Sequence, residues 1–125
     1  MNILLAVFLG GGAGSVARLL SMMATAKLFG DAFPYGTLFV NVLGSFAIGV
    51  IMQTVMIKAD MSATMQALLV TGFLGGFTTF SAFSFDVYKL ANTGQALNAA
   101  LYVAASVFLS LLAVFGGAAS VKAFS

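Results

Sequence analysis

Cysteine and histidine are absent from this 125-residue chain, and it carries only three carboxylates. Thiol redox chemistry, a zinc site and most acid–base catalysis therefore lack their residues, and the sequence does not read as an enzyme. Charge of either sign is scarce: five Lys and Arg against three Asp and Glu give a formal +2. The basic residues are scattered singly, which leaves no cluster to grip nucleic acid. The N-terminus also lacks a basic region, and its apolar run continues from Ile3 to Ala17 without a clean cleavage site. That run reads as a membrane span rather than a signal peptide.

What the chain has instead is apolar surface. It is 62% hydrophobic with a mean hydropathy of +1.13, far above a soluble domain. Charges and turn residues divide it into four apolar blocks, about Ile3 to Ala26, Gly36 to Ile57, Ala63 to Val87 and Gln95 to Ala119. Each is close to the roughly 20 residues that a spanning helix requires. The expected fold is an all-α membrane protein of four transmembrane helices in a single domain. The connectors are short and hold Gly30 and Pro34, Asp60 or Ser62 as a helix cap, and Gly94 for a turn.

Orientation in a membrane normally follows an excess of Lys and Arg in the cytoplasmic loops. Lys27 and Lys89 fall in the first and third connectors, Lys58 and Lys122 in the second connector and at the C-terminus, so the bias is nil. A chain without that bias is free to insert both ways, and opposed copies would form an antiparallel, dual-topology homodimer. The alternative is that Arg18, lipids or insertion machinery fix one orientation. Gly10 and Gly14, Gly72 and Gly76, and Gly44 with Gly49 are spaced for close helix packing.

Polar groups inside spans need partners or water. Asn98, Tyr102, Ser106 and Ser110 follow i, i+4 steps and share one helix face, which suits either a polar path or interhelical bonding. Asn41, with Ser45 a turn later, should point inward, as glue or as a donor. Arg18 is the only guanidinium. It is expected to snorkel toward the end of the first span, where a fixed cation would attract anions.

The third block contains "GGFTTFSAFSF", residues 75–85. Paired glycines weaken a helix, and Thr78 and Thr79 compete for backbone carbonyls, so a break is expected between about Gly75 and Thr79. Opened carbonyls at membrane depth demand a cation or a donor. Phe73, Phe77, Phe80 and Phe83 are spaced to stack along one side. Core packing is the default for such a stripe, although ring edges also suit a poorly solvated anion.

Three motifs together resemble the Fluc, or CrcB, family of small fluoride channels. They are "GGGAGSVAR" (10–18), "PYGTLFVNVLGSF" (34–46) and "GFLGGFTTFSAFSFD" (72–86). The resemblance implies a dual-topology homodimer in the bacterial plasma membrane, with two pores that passively export cytoplasmic fluoride and confer fluoride resistance. By position, Phe80 and Phe83 would present ring edges to the anion and Asn41 would donate to it. Tyr102, Ser106 and Ser110 would form a polar track, with Thr79, Ser81 and Ser84 near the same route and Arg18 at the mouth. Backbone oxygens of Gly75 and Thr78 from both copies would hold a central structural sodium. Leu19, Ala82 and Asp86 depart from the family pattern of tyrosine, a hydroxyl residue and glutamate.

The chemistry is consistent with that expectation. A small, strongly hydrated anion must exchange its water for short-range donors, while a cation in the narrow part would hold it too tightly to conduct. One alternative is a small multidrug exporter, which needs an embedded carboxylate for proton coupling; here only Asp86, at the end of the third block, is a candidate. A purely structural membrane protein would explain the glycine pairs but not the polar stripe.

Overall fold

The structure, a computed structural model, describes residues 1–57 and 60–124. Helix α1 (Ile3–Phe29) and helix α2 (Tyr35–Ile57) are continuous spans. The third span, Ala63–Asn92, is built in pieces: α3 (Ala63–Gln66), a π-helical segment (Ala67–Leu74), α4 (Gly75–Phe77) and α5 (Phe80–Asn92). Helix α6 (Ala96–Ala123) is the fourth. All four spans are long and apolar enough to cross a membrane. Lys58, one of the four lysines weighed for orientation, lies outside the described residues.

The ends follow from local chemistry. Asn2 caps α1, its Oδ1 accepting from the Leu4 amide, and Ser62 caps α3 through a 3.1 Å bond from the Met65 amide. Gly30 (φ 78°) and Gly94 (φ 76°) turn the first and third connectors in the left-handed region that favours glycine. The helices run three to five residues past the C-terminal limits expected for the first, third and fourth spans, to Phe29, Asn92 and Ala123. Hydropathy marks the hydrocarbon depth, whereas backbone bonding continues until a cap or glycine stops it.

Two backbone-to-backbone contacts assemble the bundle. Helix α1 lies against the third span, where a side chain on Gly10 would strike the Leu68 carbonyl and one on Gly14 the Phe73 carbonyl. Reciprocally, a side chain on Gly76 would lie 2.5 Å from the Gly11 carbonyl oxygen and 3.0 Å from Ser15 Oγ. Helix α2 meets α6 in the same manner, Gly49 facing the Val114 carbonyl and Gly117 the Phe46 carbonyl. Lipid tails remove most of the hydrophobic drive for helix association, so this intimacy supplies the dispersion contacts that hold the spans together. The carbonyls facing Gly10 and Gly14 both belong to the π segment, so the glycines of α1 abut its wider turn.

Gly12 has open space around it, with nothing within 4 Å of an added Cβ. In detergent-solubilised protein, Gly14→Val should lower stability by at least ~1–3 kcal/mol through forced separation of α1 from the third span. Gly12→Ala should be neutral or stabilising by up to about 1 kcal/mol. Thermal unfolding of the two variants checks the contrast.

Candidate functional site

The helix break occupies two residues. Thr78 (φ −88°, ψ 158°) and Thr79 (φ −154°, ψ 121°) are extended, while Gly75–Phe77 remain helical. The opening is therefore shorter than the Gly75 to Thr79 stretch expected from the glycines. Each threonine finishes one helix. Thr78 Oγ1 donates back to the Leu74 carbonyl at 2.8 Å, and Thr79 Oγ1 accepts from the Ala82 amide at 3.1 Å as the N-cap of α5. The glycines serve proximity instead: Gly76 passes α1, and Gly44 on α2 receives the Thr78 methyl.

Asn41 closes the account of the broken backbone. Its Oδ1 accepts from the Thr79 amide at 2.8 Å and its Nδ2 donates to the Thr79 carbonyl at 3.0 Å. The side-chain amide thus pairs with this backbone as a neighbouring strand would, and one Nδ2 hydrogen remains. Arg18 supplies the next piece, its Nε donating to the Gly76 carbonyl at 2.9 Å. The guanidinium is anchored at the C-terminal end of α4, where carbonyls carry negative dipole charge.

A continuous helix would direct the Thr79 amide to the Gly75 carbonyl and the Ala82 amide to the Thr78 carbonyl. Here those amides go to Asn41 Oδ1 and Thr79 Oγ1. Among the carbonyls that lose their helical donors are those of Gly75 and Thr78, and both residues border a cavity of about 510 Å3. The same cavity is lined by Asn41, Ser45, Thr79, Phe80, Phe83, Ser106 and Ser110. Ser106 is 7% exposed, and its Oγ is buried without a hydrogen-bond partner. An unpaired buried hydroxyl costs on the order of 1–3 kcal/mol, and beside the cavity it is placed to bond a water or a solute there.

A second cavity, of about 490 Å3, lies under the first connector, among Gly30 to Thr37, Asp86, Lys89 and Gln95. Tyr102 borders neither cavity; it is fully buried and donates its hydroxyl to Asp86 Oδ2 at 2.9 Å. Its ring lies 5.2 Å from that of Phe83 and 5.5 Å, T-shaped, from that of Phe33.

The structure brings most of the expected residues together and separates a few. Phe80 and Phe83 form a tilted pair at 5.3 Å, but Phe73 and Phe77 form a different pair at 5.9 Å. The single stripe of four rings is divided because the extended residues between Phe77 and Phe80 interrupt the helical register. Asn98 leaves the polar stripe: it sits exposed on the first turn of α6, its Nδ2 donating to Gln95 Oε1 at 3.0 Å. Ser84 is exposed and bonds its own helix at the Phe80 carbonyl, 3.0 Å, and exposed Ser81 lies 3.3 Å from Thr79 Oγ1. Thr37, Phe33 and the Asp86–Tyr102 bond went unforeseen. Their one sequence signal was a carboxylate inside an apolar helix, which needs a partner.

Comparison with known proteins agrees with this picture. The family model described as CrcB-like protein, Camphor Resistance (CrcB), matches residues 5–118. A fluoride-specific ion channel FluC from Rhizobium meliloti is 50% identical over 123 residues, 98% of each chain. The corresponding channel of Rhizobium etli is 50% identical over 119 residues, 95% of each chain. That of Cereibacter sphaeroides is also 50% identical over 119 residues, 95% of this chain and 94% of the relative. With its helix break, central cavity and glycine contacts falling inside the matched region, the chain belongs to the CrcB family.

Proposed function

We propose that this protein is a fluoride-selective channel and not an enzyme, a multi-pass protein of the bacterial plasma membrane working as an antiparallel homodimer. The observation that carries the reading is the unpartnered, buried Ser106 hydroxyl, which lines one cavity together with Phe83 and the broken third span. Membership of a family whose relatives are named fluoride-specific ion channels supports it.

Fluoride crossing the bilayer needs replacement donors spaced along a route. The remaining Nδ2 hydrogen of Asn41 and the hydroxyls of Ser106 and Ser110 supply neutral donors around one cavity. Phe80 and Phe83 add positively polarised ring edges. The Tyr102 proton is committed to Asp86 in this arrangement, so Tyr102 serves the route as wall until that bond exchanges. Arg18, anchored on Gly76, contributes a long-range attraction for anions without entering the cavity. Thr79, Ser81 and Ser84 stand at the N-terminal turns of α5, where amide dipoles favour negative charge.

A second copy is supported by Phe80, which borders the cavity yet is 77% exposed in one chain. A second copy at that ring would close the cavity that a single chain leaves open there, and the balanced lysines permit an inverted partner. Sodium fits the break: the Gly75 and Thr78 carbonyl oxygens, freed from helical donors, are the hard neutral ligands such a cation takes. When bound it would supply positive charge where the end of α4 is negative. Proton-coupled export receives less support, because its only embedded carboxylate is engaged by Tyr102.

Liposomes loaded with fluoride and chloride should release fluoride electrogenically, without a proton gradient, and retain chloride. Ser106→Ala should slow fluoride efflux about tenfold or more with stability unchanged or raised, since an unsatisfied polar group is removed. Wild-type efflux from that variant would take the hydroxyl out of the route. For the cation, replacing sodium with a bulky organic cation should speed subunit exchange between differently labelled dimers by about tenfold or more, as a ligand-linked stabilisation is lost. Exchange indifferent to sodium would remove the cation from the break.

A further inference from the structure

The two cavities approach each other along two helices, α2 and α5, and remain separate. On α2, Thr37 borders the connector-side cavity and Asn41, four residues later, the central one; on α5, Asp86 and Phe83 divide in the same way. On α6, Ser106 borders the central cavity, and Tyr102, one turn before it, borders neither. A helical turn is about 5.4 Å, so the barrier is one residue layer thick and Tyr102 is its centre.

That centre is held from three sides. Asp86 takes the hydroxyl, Phe83 packs on the ring from the central side, and Phe33 meets it T-shaped from the connector side. Of these neighbours only Phe33 is not on a helix. It sits in the bend between α1 and α2, part-buried, and borders the connector-side cavity. Its place is nonetheless fixed by the chain around it. Gly30 (φ 78°) starts the bend, Pro34 restricts the following backbone, and the Phe33 carbonyl accepts from the Tyr35 amide at 2.8 Å. The bend delivers the Phe33 ring onto Tyr102.

We propose that Phe33 is a positioning residue for the anion route, the connector-borne half of a two-ring partition between the cavities. Phe33 keeps the Tyr102 ring seated, so that water and large anions do not pass while the Tyr102–Asp86 bond exchanges. Its consequence for ion flow rests on the channel reading above; the partition itself is a property of the fold and is testable without it.

The chain has no cysteine, so Ser106→Cys provides a single thiol on the central side of the partition. Reconstituted dimers are treated with a membrane-impermeant sulfonated methanethiosulfonate, and the modification rate is compared across backgrounds. Phe33→Ala should accelerate modification about tenfold or more, because removing the ring leaves a void and frees Tyr102. Phe33→Leu, which fills much of the volume without a ring, should accelerate it about threefold or more, and Phe33→Tyr should leave it within about twofold. Tyr35→Ala removes a ring that packs on Phe33 but is not paired with Tyr102, and should also stay within about twofold. Rates for Phe33→Ala and Phe33→Leu within about twofold of the parent would overturn the proposal, as would rapid modification with Phe33 in place. If Phe33→Ala does not yield dimers, Phe33→Leu decides alone. Absence of fluoride efflux from the cysteine-free parent would sink the channel reading and leave these rates to judge the partition.

Discussion

The bond pair between the Asn41 amide and the Thr79 backbone is the interaction on which the rest of the structure depends. A two-residue interruption inside a membrane span frees amides and carbonyls that hydrocarbon cannot solvate, each at a cost of several kcal/mol. Asn41 satisfies both backbone groups of Thr79 with one side chain. With Thr79 so held, its hydroxyl is free to cap α5, Thr78 is free to close α4, and the Gly75 and Thr78 carbonyls turn away from helical bonding. Without Asn41, a straight helix would be the cheaper solution, and the central cavity would lose one wall.

Tight packing makes that arrangement affordable. Arg18 reaches Gly76 because α1 lies against the third span with glycines at the contact, and Asn41 reaches Thr79 because Gly44 leaves room for the Thr78 methyl. Chemistry and packing are thus coupled. The glycines bring the spans close enough for side chains of α1 and α2 to replace the backbone bonds that the third span has given up. Among the described residues Ser106 Oγ is the buried side-chain polar atom left without a partner, and it borders the same cavity as the released Gly75 and Thr78 backbone.

The four spans, the break and the close glycine contacts were legible because each rests on a local rule: apolar length, weak helix formers, and small residues at fixed spacing. Legibility ended where the signal was not local. Asn41 was readable as an inward donor, but nothing in "TLFVNVLGSF" says that both ends of its amide engage one residue 38 positions away. The four phenylalanines look like one stripe only if the helix is assumed continuous through Thr78 and Thr79. Asn98 fits the i, i+4 ladder, yet the helix start at Ala96 leaves it outside the bundle, bonded to Gln95. The π-helical turns of 67–74 have no local signature; they are visible only against the glycines of α1.

Hydrogen exchange at the Thr79 amide, compared between the parent and Asn41→Ala in folded protein, tests the central claim most directly. That amide lies in extended backbone beside a cavity, and Asn41 Oδ1 is the acceptor that holds it. The account predicts slow exchange in the parent and exchange faster by about 100-fold or more in the variant, with amides in the middle of α2 and α6 unchanged. Equal protection of Thr79 in both proteins would contradict it.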